Sequence, residues 1–246
     1  MRNVMKAAWV LVVLFMVGSV QATVVTWSSE LLASDGSNVL ADGTVHVGVS
    51  YGSGADDSRI INGVNFKAND TGVWNHDNPN WSGWIDNRNA NANRYGAAGT
   101  DLKELTNDIV YGGTLVLGIN NLTIGHTYRI QLISYDADNW WNSPEAAIER
   151  WQTIAATGDE TFSFQHGTEG PYAGIDDVGA ALVIGTWKAD AAEIDFTING
   201  FVGVEDNMND NAILNGFVVQ DIVPEPATMA LLGLGGLAAL LRRKRS

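Results

Sequence analysis

Between Thr44 and Tyr51 apolar and polar side chains alternate without a break. Val45, Val47, Val49 and Tyr51 fall on one side, and Thr44, His46, Gly48 and Ser50 on the other. An extended strand with one buried face has this two-residue period, because successive Cβ atoms point to opposite faces of a sheet. The same pattern runs through residues 60–66, 114–119, 127–136, 150–156, 161–165, 180–188, 193–199 and 213–222, with a further strand expected at 23–27. One helical pattern interrupts them. Leu102, Leu105 and Ile109 share a helical face, Asp101 and Glu104 have the spacing of a capping pair, and a helix is expected from Leu102 to about Tyr111. Roughly ten strands punctuated by Gly, Asn and Asp predict an all-β fold, a single jelly-roll or β-sandwich domain with one short helix.

Three Asn-Gly steps lie between apolar residues, at Asn62-Gly63, Asn199-Gly200 and Asn215-Gly216. The dipeptide favours a tight hairpin turn. It equally suits a bulge within a strand.

The two ends of the sequence are unlike the middle. Residues 1–22 read as a secretory signal peptide. Arg2 and Lys6 precede an apolar stretch over 7–18, and Val20-Gln21-Ala22 offers small residues to signal peptidase, so cleavage between Ala22 and Thr23 is expected. Residues 223–246 combine Pro224-Glu225-Pro226, an uncharged stretch over 227–241, and the basic cluster Arg242, Arg243, Lys244 and Arg245. As a helix that stretch would reach about 22 Å, against a hydrocarbon core of about 30 Å, and it contains Gly233, Gly235 and Gly236. It is a marginal span. The basic cluster is expected to stay on the cytoplasmic side, as positive flanks do.

This arrangement looks like the PEP-CTERM sorting signal of bacterial exported proteins. There a Pro-Glu-Pro motif precedes a short glycine-containing transmembrane stretch and an arginine-rich end. The resemblance implies a partner, a membrane protease-transpeptidase of the exosortase type. Such an enzyme would remove the tail and release or attach the body in the cell envelope, at the surface or in the extracellular matrix.

The body, residues 23–222, is long enough for one domain with a core of its own. Setting aside Arg2, Lys6, Glu225 and the terminal basic cluster leaves 8 basic and 27 acidic residues, a net charge of −19. Such a surface repels nucleic acid and anionic lipid, and nucleic-acid binding is excluded. The chain has no cysteine, which removes disulfides and thiolate metal sites.

A second resemblance covers Leu122-Thr123-Ile124-Gly125, which leads into Tyr128-Arg129-Ile130-Gln131-Leu132, together with the later Gly185-Thr186-Trp187. These segments are similar to ones in galactose-binding-like jelly rolls of exported proteins. They imply a sandwich of carbohydrate-binding ancestry.

Candidate ligand-binding residues cluster in the segments between strands. Eight asparagines lie between Asn69 and Asn93, interleaved with Trp74, Trp81 and Trp84. Trp140 and Trp141 follow Asp136-Ala137-Asp138-Asn139. Tryptophan rings can stack on the apolar face of a sugar while Asn and Asp bond its hydroxyls. The competing reading is that these rings pack the loops onto the sandwich. Asp136, Asp138, Asp206 and Asp210 are candidate ligands of a structural calcium, which takes six to eight oxygens. The acidic clusters also read as solvated turns.

Catalytic patterns are weak. Gly48-Val49-Ser50-Tyr51-Gly52 has the letters of a nucleophile elbow, but no helix pattern follows the serine. His46, His76, His126 and His166 form no local metal pair. Glu145 and Glu149 are the least arbitrary carboxylate pair for glycoside hydrolysis, and read more simply as neighbours on a solvated helical turn. The sequence therefore predicts an exported, non-catalytic β-sandwich that serves as a binding module for carbohydrate or exopolysaccharide at the cell surface or in the extracellular matrix. The alternatives are a polysaccharide-active enzyme of jelly-roll type and a purely structural matrix protein.

Overall fold

The computed structural model describes residues 23–51, 58–68, 74–75, 86–87, 100–106, 108–112, 114–136, 150–165, 167–168, 180–202 and 212–222. The elements run in chain order as β1 (Thr26–Leu31), β2 (Thr44–Ser50), β3 (Arg59–Ile61), β4 (Val64–Ala68), β5 (Trp74–Asn75) and β6 (Asp86–Asn87), then α1 (Asp101–Leu105). They continue as β7 (Asp108–Gly112), β8 (Thr114–Ile119), β9 (Thr127–Asp136), β10 (Arg150–Ala156) and β11 (Phe162–Gln165). Last come β12 (Gly167–Thr168), β13 (Ala181–Lys188), β14 (Ile194–Val202), β15 (Ala212–Leu214) and β16 (Gly216–Asp221). The described chain is mostly strand, in open sheets that close no barrel.

Sheet one has the order β1-β13-β9-β16-β2-β4-β3, with β12 added in parallel to the end of β9. Sheet two has the order β11-β10-β14-β8-β5, and a small third sheet joins β15, β7 and β6. The neighbours along sheet one are antiparallel except at β2 and β4. The alternating residues of β2, β9 and β16 explain the layering. Val47, Val49, Ile130, Leu132, Phe217 and Val219 join one buried cluster with Leu115, Leu117, Ile154, Phe196 and Ile198 of sheet two. That shared cluster makes the two sheets a sandwich-like pair. Burying one such side chain contributes about 1.5–3 kcal/mol.

The intervening residues of β9 are not exposed. Ile133 and Tyr135, with Val218 of β16 and Leu182 of β13, join a second buried cluster on the outer face of sheet one. Leu32 and Val39, the β3–β4 hairpin through Val64 and Phe66, and Leu102 and Leu105 of α1 cover that face. Strand β9 is thus buried on both sides, and its in-phase polar residues Arg129 and Gln131 are buried as well.

Several expectations are corrected. The helix ends at Leu105 rather than Tyr111, and Asp108–Gly112 is strand β7, paired with β15 at Val110↔Leu214. Ile109, Val110 and Tyr111 are β-branched and aromatic residues that suit a strand once a partner is present. The cap also differs. Thr100 accepts from Lys103 N at 3.3 Å, while Asp101 Oδ2 accepts from Ile60 N and ties α1 to β3. The first strand runs over Thr26–Leu31 instead of 23–27, and the 193–199 strand extends to Val202.

The Asn-Gly steps have three different fates. Asn62 and Gly63 both take positive φ, 48° and 79°, and make the two-residue turn between β3 and β4. Asn199-Gly200 lies inside β14, where Asn199 Oδ1 accepts from Thr114 Oγ1 at 2.8 Å. Asn215 interrupts the expected 213–222 strand between β15 and β16. One further glycine has a packing reason: a Cβ on Gly185 would stand 2.5 Å from the Trp27 ring that lies over it from β1.

Candidate functional site at the loop end

The two ends of the sandwich are built differently. At one end short turns join β8 to β9, β10 to β11 and β13 to β14. Here Tyr128 Oη accepts from Thr123 N at 2.8 Å, and Leu122 N donates to Ala192 O at 2.9 Å. Gly125 N donates to Ala189 O at 2.7 Å, and Ala189 N to His126 O at 2.9 Å. Beneath them Tyr128 stacks on Trp187 with centroids 5.8 Å apart, and Trp187 meets the edge of Phe196 at 5.3 Å. This turn end also receives both limits of the described body. Thr23 Oγ1 donates to Asp190 and Val25 N to Asp159, and Ile222 N donates to Thr127 O at 2.8 Å.

The opposite end is the loop end. Segments 52–57, 137–149, 169–179 and 203–211 begin and finish beside strand ends there, following β2, joining β9 to β10, preceding β13 and joining β14 to β15. The register brings two of them together at their roots. Arg150, which follows the 137–149 segment, is the cross-strand partner of Val202, which precedes the 203–211 segment.

A buried polar network forms the floor of this end. Gln152 of β10 and Ser134 of β9 are both buried. Gln152 Nε2 donates to Ser134 Oγ at 2.7 Å, Ile213 N donates to Gln152 Oε1 at 2.7 Å, and Ser134 Oγ donates to Ile213 O at 2.8 Å. Beside it Asn215 makes four bonds to three other chain segments. Its Oδ1 accepts from Tyr135 N, its Nδ2 donates to Thr106 O at 3.3 Å, its N donates to Ile133 O at 2.9 Å, and its carbonyl accepts from Tyr51 N at 3.4 Å. Burial pushes the Tyr51 hydroxyl pKa well above its usual range. Buried polar groups satisfied in this way fix one arrangement of the strands that carry them. The floor is a rigid support, with no nucleophile–base pair among these residues.

A second polar cluster lies on the outer face of sheet one. Gln220 Oε1 accepts from Arg129 Nε at 3.2 Å, Arg129 Nη2 at 2.9 Å and Gln131 Nε2 at 2.8 Å. Gln131 also bonds the Leu40 backbone in both directions, accepting at 2.8 Å and donating at 2.9 Å. The Arg129 guanidinium donates to Asp42 and holds its carboxyl below the usual carboxylate pKa. Its role is to fasten the segment before β2 onto the sheet.

The sequence-derived candidates fall as follows. Trp140, Trp141 and Asp138 lie outside the described residues in the segment rooted between β9 and β10. Asp206 and Asp210 lie outside them in the segment rooted between β14 and β15. Asp136 is the last residue of β9. Trp81 and Trp84 lie outside the described residues, and Trp74 is elsewhere: its backbone pairs with Ile119, near the turn end. Ala22, Pro224, Glu225, Pro226, Arg242, Arg243, Lys244 and Arg245 also lie outside the described residues, as do Glu145, Glu149, His76 and His166. His46 and His126 are at the turn end, bonded to Asn120 O at 2.9 Å and Asp221 Oδ2 at 2.7 Å. Among the described residues no group of three His, Asp or Glu could hold a metal ion, and no helix is long and apolar enough to cross a membrane. Sequence reasoning missed Gln152, Ser134 and Asn215. Gln152 is in phase with the inward Ile154 and Ala156, and that phase was the available signal.

The β-rich body is followed at once in the sequence by residues 223–246. Residues 223–245 match the family model for the PEP-CTERM protein-sorting motif. No curated protein matches the chain. The matched motif marks an exported protein, a substrate of exosortase processing that is anchored transiently at the membrane by this segment.

Proposed function

We propose that the sorted body is a non-catalytic binding module for extracellular carbohydrate, displayed in the envelope or its polysaccharide matrix. The observation that carries this reading is the shared root of two segments. The 137–149 segment, which carries Trp140 and Trp141, ends at Arg150, and Arg150 is the cross-strand partner of Val202, where the 203–211 segment with Asp206 and Asp210 begins; the bonded Gln152 and Ser134 lie two residues inside the strand ends at Arg150 and Asp136. A stacking ring and hydroxyl-bonding carboxylates from neighbouring roots are what a sugar requires, with aromatic and polar groups converging on one place. The resemblance to galactose-binding-like jelly rolls supports the same reading. Calcium from Asp136, Asp138, Asp206 and Asp210 would brace these segments, and binding is therefore assayed with and without it.

The test is a glycan array probed with residues 23–222 and with the full chain. Retention of polysaccharide without release of reducing ends is expected, and it should be lost in a Trp140→Ala/Trp141→Ala variant with unchanged thermal unfolding. Release of reducing ends would mark a polysaccharide-active enzyme, and absence of binding to every glycan would mark a structural matrix protein.

A further inference from the structure

The described body ends at Ile222, and the processing motif begins almost immediately after it in sequence. Ile222 N is bonded to Thr127 O, and Asp221 to His126 Nδ1, so the end of β16 is held in place. Strand β16 is an interior strand of sheet one, paired with β9 and β2. Only Val223 separates Ile222 from Pro224. At a maximum of about 3.6 Å per residue, Pro224 lies no more than ~7 Å from Ile222 and Pro226 no more than ~14 Å. An enzyme that reads Pro224-Glu225-Pro226 on the folded protein must therefore come against the turn end. The loop end, about 23 Å away along the eight residues of β13, is out of its reach.

The turn end suits such contact because its turns are bonded to one another and sealed by Tyr128 and Trp187. Its exposed Glu160, Asp190, Glu193 and Asp195 outnumber the exposed Lys188, so an anionic lipid surface repels it while a basic protein surface attracts it. Resting on the sorting reading, we infer that the turn end, through the turns at Thr123, Glu160 and Ala191, is the surface that docks on the outward face of the processing enzyme. The loop end is thereby held pointing away from the membrane during processing.

The chain has no cysteine, so a single cysteine carries a photocrosslinker to one defined place. Full-length Ala191→Cys, Thr123→Cys and Leu31→Cys proteins are labelled in membranes holding an inactivated processing enzyme; all three positions are exposed, and Leu31 is at the loop end, paired with Ala181. Crosslinks to the enzyme several-fold more frequent at Ala191 and Thr123 than at Leu31 are expected. Inserting about ten Gly/Ser residues after Ile222 should remove that bias by freeing the body. Equal crosslinking at the three positions would overturn the docking surface. Adducts only with lipid at the turn end would overturn the enzyme as its partner. A full-length chain that fails to fractionate with membranes would overturn the sorting reading, and the docking with it.

Discussion

Gln152 Nε2 donates to Ser134 Oγ at 2.7 Å, joining sheet two to sheet one two residues inside the strand ends at Arg150 and Asp136. Both side chains are buried, and Gln152 is also the acceptor for Ile213 N. Gln152→Ala leaves a buried N–H without its acceptor and should cost about 2–4 kcal/mol. A lowered urea midpoint with unchanged slope is the expected result. An unchanged midpoint would mean that the network adds nothing to the floor.

Gly185 is the place where Trp27 lies flat. A Cβ there would stand 2.5 Å from the ring, so Gly185→Val should displace Trp27 and cost about 1–3 kcal/mol. Because β1 is an edge strand of sheet one, the ring can move toward solvent, and tryptophan emission should shift to the red. Gly63→Ala is the contrasting case. Nothing lies within 4 Å of its Cβ, but φ is +79°, so about 1 kcal/mol should be lost with emission unchanged.

Asp42 sets an acid dependence. Its carboxyl accepts from Arg129, and its folded-state pKa lies below the ordinary 3.8. A group depressed in this way stabilises the fold above its unfolded pKa, and the contribution fades as pH falls through the folded value. Asp42 is largely exposed, so the effect is modest and screened by salt. Asp42→Asn should flatten the decline in melting temperature between about pH 4 and about pH 2. A decline identical to that of the parent protein would rule out this pair as its source.

The basic end of the sorting segment makes its own prediction. Replacing Arg242, Arg243, Lys244 and Arg245 with Ser removes the charges expected to resist translocation. Unprocessed precursor should accumulate in pulse-chase experiments. Processing at the parent rate would show that the cluster does not hold the tail.

Much of this fold is legible in the sequence because alternation is a local signal. The strands at 114–119, 127–136 and 150–156 have the expected limits. Where a local pattern fits two structures, only the partner decides. Leu102, Leu105 and Ile109 have helical spacing, yet Val110 pairs with Leu214, more than a hundred residues away in sequence. Polar residues mislead in a similar way. Arg129 and Gln131 alternate with Tyr128, Ile130 and Leu132 as solvent-facing residues would, but the chain before β2 covers them. At the loop end, the roots shared by 137–149 and 203–211 depend on the β10–β14 register, which no periodicity reveals. The sorting segment, by contrast, is legible because its chemistry is contiguous.

The most direct test of the whole account is the intact mass of the protein recovered from the envelope and medium of cells that make it. A chain that begins at Thr23 and lacks the basic cluster Arg242, Arg243, Lys244 and Arg245 is expected there. The mass of all 246 residues, recovered from the cytosol with both ends in place, would contradict it.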